Sequence, residues 1–449
     1  MSADTHPTLQ QLLRDAAPYI HAHRGRTVVL AFAGEALLEQ RLEALASDVA
    51  LLSSLGVRLV LVPGSRPQIE AELHGAGLRS RFHAGLRITG ETELSHVKRA
   101  VAVQTVDLIA RLSQGMPNTP LEGARLSVVT ANLVIARPAG VRDGVDLGWT
   151  GEVRKVESER LIRLLDAGHV ILQPCLGTSP TGEVFNLRAE DVAVELAVAI
   201  RADKLVFLTE SASSLPAQMT IAEAAAWQDS AALSAEFRLH LASAVQAVRR
   251  GVGRVHLVDR RNEGALLREL FTREGNGTLV TAEPVEKLRR ATIDDVGGIL
   301  ELIRPLEDEG VLVRRPREQL ELEIERHWVV DLDGRIIATA ALHTFPDAPL
   351  AELACLTVHP DYRRGGRASQ LLRQMEREAV KQGLEGLFVL TTHTAHWFIE
   401  HGFRKAEVSD LPVSRQAIYN AQRNSKVFIK TLQVASVPAR VDAAPSSSA

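Results

Sequence analysis

The run Val358-His359-Pro360-Asp361-Tyr362-Arg363-Arg364-Gly365-Gly366-Arg367-Ala368 joins an apolar, strand-like stretch, 353–358, to a helix-like one, 369–375. A strand, a basic glycine-rich turn and a helix start aim backbone N–H groups and the positive end of a helix dipole at one point, which suits phosphate. The same third of the chain holds a carboxylate (Glu352), a thiol (Cys355) and the hydroxyls of Thr391 and Thr392. It also holds cations at Arg314, Arg315, Arg423 and Lys426, and imidazoles at His393, His396 and His401. A carboxylate can take a proton from an amine, and an arginine fork grips another carboxylate on two N–H groups. A free strand cysteine is more often buried and inert than nucleophilic. The histidines have no second cluster with ligand spacing, so a packed or solvated helix face is favoured over zinc and no metal is expected.

At 449 residues the chain exceeds one compact core, and two or three domains are expected. Hydrophobic content of 45% and charged content of 24% fit a globular protein, and a net charge of −3 gives no sign of nucleic-acid or anionic-membrane binding. Two cysteines exclude a disulfide framework and suit a reducing compartment. With no charged-then-apolar leader and no bilayer-length apolar run, a cytoplasmic protein is expected. Helical spacing over 9–22 is interrupted by Pro18. From 27 onward, strands at 27–33, 58–62, 125–130, 133–138, 169–173, 204–209 and 254–258 alternate with helices such as 36–55, 94–112 and 190–201. That alternation predicts an α/β domain with a mainly parallel sheet between helical layers. After a hinge near 283–286, a strand at 286–291, a capping box of Thr292 and Asp295, a helix start at Pro316 and an Asp333-Gly334 hairpin turn mark a second, α+β domain. Residues 434–449, rich in Ala, Pro and Ser, read as a disordered tail.

The spacing Arg363-x-x-Gly366-x-Ala368 resembles the pyrophosphate turn of the GCN5-related N-acetyltransferases, and the element order of 287–433 matches their fold. The resemblance implies acetyl-CoA as co-substrate, held by Arg363, Arg364, Gly365, Gly366, Arg367 and Ala368. It also implies a central strand that splays from its neighbour, with backbone at Leu356 and Val358 along the pantetheine and an N–H near Leu356 polarising the thioester carbonyl. Glu352 opens that strand and becomes the candidate base. In the element Ala395-His396-Trp397-Phe398-Ile399-Glu400-His401-Gly402-Phe403, Phe398 stands where many members place a tyrosine. That proton donor is therefore lost, and a hydroxyl at the strand end, Thr391 or Thr392, is the next candidate, with Tyr419 more remote. Paired cations suit an acceptor with two carboxylates, such as glutamate.

Segments from Arg289 to Glu307, Val313-Arg314-Arg315 and Tyr419-Asn420-x-Gln422-Arg423-x-Ser425-Lys426 extend the resemblance to nearly the whole chain: it looks like the bacterial amino-acid N-acetyltransferases, the N-acetylglutamate synthases. That implies an acceptor pocket with Arg315, Cys355, Arg423 and Lys426. Residues 25–282 resemble the amino-acid kinase fold without its phosphoryl-transfer groups: Ala31 stands at the lysine position, Pro63-Gly64-Ser65-Arg66-Pro67 lacks two glycines of the phosphate loop, and Glu210 replaces an aspartate. The resemblance then implies a regulatory domain that binds L-arginine through Tyr19 of the N-terminal helix (1–24), Glu269, Gly275 and Gly277, and a homo-oligomer, a hexamer in relatives. Rivals are a working kinase with an accessory domain, a sensor without chemistry, and a protein acetyltransferase.

Overall fold

The computed structural model describes residues 9–37, 41–114, 122, 126–210, 215–228, 230, 233–272, 275–284, 286–363, 365–392, 394–419 and 425–432. Arg364, His393, Arg423 and the 434–449 tail lie outside them. Contacts divide the chain into two units, Met1–Pro284 and Val285–Ala449.

The first unit is built on an eight-stranded sheet. Its spatial order is Gln218–Thr220, Gly277–Thr281, Arg254–Asp259, Lys204–Thr209, Thr27–Phe32, Arg58–Pro63, Val170–Leu172, Val128–Val129. Every neighbouring pair is parallel except Arg254–Asp259 with Gly277–Thr281. The central strand Thr27–Phe32 is buried along its whole length, which requires apolar side chains on both faces. Val29 and Ala31 enter a core with Val192 and Leu196 of helix Ala189–Ala199 and Phe237 and Leu241 of helix Ala235–Arg249. Val28, Leu30 and Phe32 enter the opposite core with Val49 of helix Arg41–Ser54 and Leu266 of helix Ala265–Phe271. The expected parallel α/β layer is thus observed. The expected strand at 133–138 belongs instead to a separate four-stranded sheet whose other strands periodicity missed: Val184–Asn186, Leu176–Thr178, Val134–Pro138, Gly151–Val156. Two local expectations need correction. The helix Leu9–His23 runs through Pro18, and the segment expected as one helix from 36 opens as a 3-10 turn, Gly34–Leu37, before helix Arg41–Ser54.

The second unit has a seven-stranded sheet ordered Glu286–Arg290, His327–Leu332, Arg335–Thr344, Leu350–Val358, Gly386–Thr391, Lys426–Thr431, Arg404–Ala406. All its neighbours are antiparallel except Leu350–Val358 with Gly386–Thr391. Short-range sequence signals hold here. Thr292 N–H donates to Asp295 at 2.7 Å ahead of helix Val296–Asp308, and Asp333 and Gly334 both take positive φ at the hairpin. Pro316 caps helix Arg317–Leu322, one position before its expected place inside it. One sheet face packs on helix Arg367–Lys381 through Leu371, Leu372 and Met375, and helix Val296–Asp308 contributes Val296, Ile299 and Ile303 to a separate core. Among the described residues no helix is long and apolar enough to cross a membrane.

Burial disfavours the charged form of several histidines, most strongly His23 in the first unit and His327 in the second. Burial holds His23 down to about 4 and His327 down to about 3, against an ordinary 6.5. Below 6.5 the unfolded chain takes up these protons and the folded chain does not, so stability falls as pH drops from 6.5 towards those values. Each group contributes a slope of at most about 1.4 kcal/mol per pH unit. Urea unfolding at pH 7 and pH 5 is expected to show this loss, and His327→Gln is expected to flatten it for the second unit.

Candidate active site

The central strand Leu350–Val358 does two things a regular strand does not. Its parallel ladder with Gly386–Thr391 covers only Leu350, Ala351 and Glu352, and stops at the Glu352–Phe388 pair. Against its other neighbour, Thr339 pairs with Thr357 and Ala341 with Ala354, so Cys355 and Leu356 together oppose Ala340. This is a β-bulge, and Cys355 takes a left-handed φ of 52° to make it. A non-glycine residue there costs on the order of 1 kcal/mol, and such bulges re-aim backbone groups beside sites. Glu352, at the last rung of the parallel ladder, and the Cys355–Leu356 bulge therefore sit within one short stretch.

Beyond Val358 the chain turns through Tyr362 and Arg363 to Gly365 and Gly366. Gly366 has φ 70° and precedes the fifteen-residue helix Arg367–Lys381, so a glycine-lined turn meets a helix N-terminus. Arg363, Gly365 and Gly366 are exposed, and a Cβ on Gly365 would meet the Arg367 guanidinium at 2.1 Å. The Arg367 side chain is committed to Glu286 (2.7 and 3.0 Å) and to the Tyr362 carbonyl (3.0 Å). It braces the turn, while the Arg367 backbone N–H lies in the first turn of the helix, where such N–H groups can meet an anion. Ala368 follows in that first turn, half-buried.

The sheet face away from helix Arg367–Lys381 is polar at its centre. Alternation along paired strands puts His327, Thr339, Ala341 and His343 on one face with Ala354 and Glu352. Cys355 lies in the field of Arg315, Glu307, Glu352 and Glu323, and burial pushes its thiol up to about 11, far from a nucleophile at neutral pH. Glu352 is held on both oxygens by Arg415, at 2.6 and 3.2 Å, with both side chains largely buried. Arg315 is fixed through its backbone, whose N–H donates to Glu307 at 2.8 Å. Thr391 ends its strand opposite Lys426, and its hydroxyl is 3.0 Å from that of Thr394. Lys426 is exposed. Phe398, at the tyrosine position, is buried against Trp397 and Phe403. His401 hydrogen-bonds Ser369 through one ring nitrogen and the Trp397 carbonyl through the other, which makes it a packing residue.

The first unit gathers a second polar site. Glu269, on helix Ala265–Phe271, accepts from the N–H groups of Asn276 (2.7 Å) and Gly277 (2.8 Å) and lies 2.6 Å from His256 Nδ1. Burial opposes its charge, but the His256 contact and the two N–H donors outweigh it, and its pKa is lowered. Lys204 Nζ approaches the other His256 nitrogen at 3.3 Å. Gly275 has φ 65°, and a Cβ there would lie 2.6 Å from Glu269; one on Gly277 would lie 2.4 Å from the Leu257 carbonyl. The N-terminal helix reaches the same helix through His23, 2.6 Å from the Leu270 carbonyl, while Tyr19 packs on the neighbouring core. Sequence reasoning missed Arg415, His343, Lys204 and His256. For the last two the signal was present: Lys204 and His256 occupy the paired strands Lys204–Thr209 and Arg254–Asp259, where a polar residue amid apolar ones points to a site.

Comparison with known proteins places both units. Residues 26–259 match the amino acid kinase family and residues 298–403 the acetyltransferase (GNAT) family. The amino-acid acetyltransferase of Azotobacter vinelandii is 51% identical over 425 residues, 94% of this chain and 98% of the relative. That of Pseudomonas aeruginosa is 48% identical over 432 residues, 95% of this chain and all of the relative. The crystal structure of N-acetylglutamate synthase from Neisseria gonorrhoeae, complexed with coenzyme A and L-arginine, is similar with a TM-score of 0.87 at 35% identity, over 95% of this chain and 100% of that one. The same synthase complexed with coenzyme A and N-acetyl-glutamate matches over the same span with a TM-score of 0.60. A splayed, bulged strand beside a glycine turn, carried on a GNAT unit that follows an amino-acid-kinase unit, is thus the architecture of an enzyme, and the chain belongs to the amino-acid acetyltransferase family.

Proposed function

We propose that this acetyltransferase moves the acetyl group of acetyl-CoA to the α-amine of L-glutamate, the first step of arginine biosynthesis, and that L-arginine inhibits it through the first unit. The observation that carries the reading is the placement of Glu352 at the end of the parallel ladder, three residues before the bulge, in the field shared with Arg315. The solved synthase complexes, one with N-acetyl-glutamate and one with L-arginine, supply the two ligands that this reading assigns to the two polar sites.

In this reading Gly365, Gly366 and the N–H groups at Arg367 and Ala368 hold the pyrophosphate of acetyl-CoA, with Arg363 and Arg364 adding charge. The pantetheine follows the strand edge at Leu356 and Val358, and the Leu356 N–H donates to the thioester oxygen as negative charge develops. Glu352, oriented by Arg415, takes the amine proton directly or through a water. Arg315, Arg423 and Lys426 hold the acceptor's carboxylates, and Cys355 lines the pocket. Thr391 is the hydroxyl nearest the leaving sulfur in this scheme, although a thiol of pKa near 8.5 leaves readily as thiolate without help. In the first unit the guanidinium of L-arginine pairs with Glu269, bounded by Tyr19, Gly275 and Gly277, with His256 and Lys204 beside it. Residues 25–282 act as a kinase-inactive regulatory domain joined to the catalytic one, 287–433, by 283–286. The active protein is a cytoplasmic homo-oligomer, a hexamer, and inhibition is a coupling free energy between its two sites.

Purified protein is expected to release free thiol from acetyl-CoA only when L-glutamate is added, and less when L-arginine is present; no release from folded, coenzyme-binding protein would overturn the reading. Glu352→Gln is expected to lower kcat by about 10²–10³-fold while coenzyme A binding by calorimetry is retained. Cys355→Ala is expected to keep turnover within roughly tenfold of wild type, because transfer is direct and the thiol is protonated; complete loss would favour an acyl-enzyme. Glu269→Gln is expected to raise the arginine concentration for half-inhibition by about tenfold or more, and an unchanged value would remove Glu269 from the sensor.

A further inference from the structure

We infer that Glu323 and His343 are positioning residues of the acceptor site, supplying one carboxylate oxygen and one imidazole N–H to the head group of an α-amino acid. The inference rests on the proposed acceptor and adds residues that neither the sequence reading nor the comparisons assign. Arg326 organises the pair: its Nη1 lies 3.1 Å from His343 Nδ1 and 3.7 Å from Glu323 Oε1. A guanidinium has only hydrogens to offer, so His343 Nδ1 accepts, and the proton of the neutral ring must sit on Nε2. Burial keeps His343 below its ordinary pKa, which favours that neutral form.

What remains after Arg326 is one atom of each residue. His343 Nε2 and Glu323 Oε2 are both buried, and neither has a hydrogen-bond partner among the described residues. A buried donor and a buried acceptor left unpaired are costly, and such groups in native proteins are ordinarily satisfied by something. The two residues are electrostatic neighbours: Glu323 is the largest charge acting on His343, followed by Glu352 and Arg315. Glu323 and Glu352 also act on Cys355, and Glu352 pairs with His343 across the ladder. The other carboxylates at this face have partners, Glu352 with Arg415 and Glu307 with the Arg315 N–H. Glu323 Oε2 is therefore an uncommitted acceptor and His343 Nε2–H an uncommitted donor among the described residues, with His327 Nε2 and Thr357 Oγ1 also unpaired on this face.

An α-amino acid presents the complement within one small group, an amino nitrogen that donates and a carboxylate that accepts. The amino group bonds Glu323 Oε2, the carboxylate accepts from His343, and the nitrogen is thereby oriented towards Glu352 and the bulge. Neither residue takes part in proton transfer.

The test uses the full-length enzyme with acetyl-CoA and L-glutamate, and three variants: His343→Leu, His343→Gln and Glu323→Gln. The Leu variant removes the donor at similar size, whereas the Gln variant returns an N–H at about the same reach. His343→Leu is expected to raise the KM for L-glutamate about tenfold or more, with the coenzyme A Kd unmoved. His343→Gln should recover to within about threefold of wild type, and Glu323→Gln should raise the KM by about tenfold. An unchanged KM in His343→Leu would mean a bridging water satisfies the pair and would overturn the proposal. So would equal losses in the Leu and Gln variants, the mark of a purely structural role. Wild-type enzyme inactive on L-glutamate would overturn the acceptor assignment itself and this proposal with it, an outcome distinct from an active enzyme with unaffected variants.

Discussion

The catalytic unit depends on a strand that gives up its hydrogen-bond ladder. A seven-stranded sheet has no open backbone at its centre unless two neighbours separate, and here the parallel pairing ends after Glu352. The bulge at Cys355 and Leu356 re-aims the strand's backbone at the same place, at the expense of a left-handed cysteine. Burial on both sides makes this tolerable: helix Arg367–Lys381 packs one face, and Ala341, Ala354 and Cys355 pack together on the other. The glycine turn that follows Val358 sits where it does because this strand feeds directly into the helix.

The polar face is a set of charges held in place by other charges. Arg415 clamps Glu352, and Arg326 bridges Glu323 and His343. Long flexible side chains lose rotamer freedom when they are fixed, and burial makes each unpaired charge costly. Pairing them in advance means that a bound molecule meets groups already oriented, which is the condition for precise positioning of an amine. Small residues such as Ala341 and Ala354 lie among these polar groups on the same face.

The first unit applies the same physics to one carboxylate. Glu269 is almost fully buried yet kept charged by His256 and the N–H groups of Asn276 and Gly277. The glycines around it leave room that a Cβ would fill. A buried, ionised carboxylate beside a lysine and a histidine is expensive to maintain and is characteristic of a binding site more than of packing. Ala31, on the central strand of the same unit, is by contrast simply part of the core.

Local chemistry was legible from the residues alone. The alternation of strands and helices, the Thr292–Asp295 box, the Asp333-Gly334 turn and the glycine turn before helix Arg367–Lys381 each depend on neighbours a few positions apart, and backbone geometry allows few alternatives to such patterns. The sequence also located Glu352 and Arg315 as chemical groups, because they flank recognisable elements. Tertiary structure alone decided how those groups are used. Arg415 meets Glu352 across 63 residues, Arg367 is drawn to Glu286 across 81, and Arg326 reaches His343 across 17. Pro18 stays within its helix, and Cys355 is forced to a positive φ. Each outcome is a balance of desolvation, pairing and packing among residues distant in the chain, and that balance exists only once the fold has brought them together.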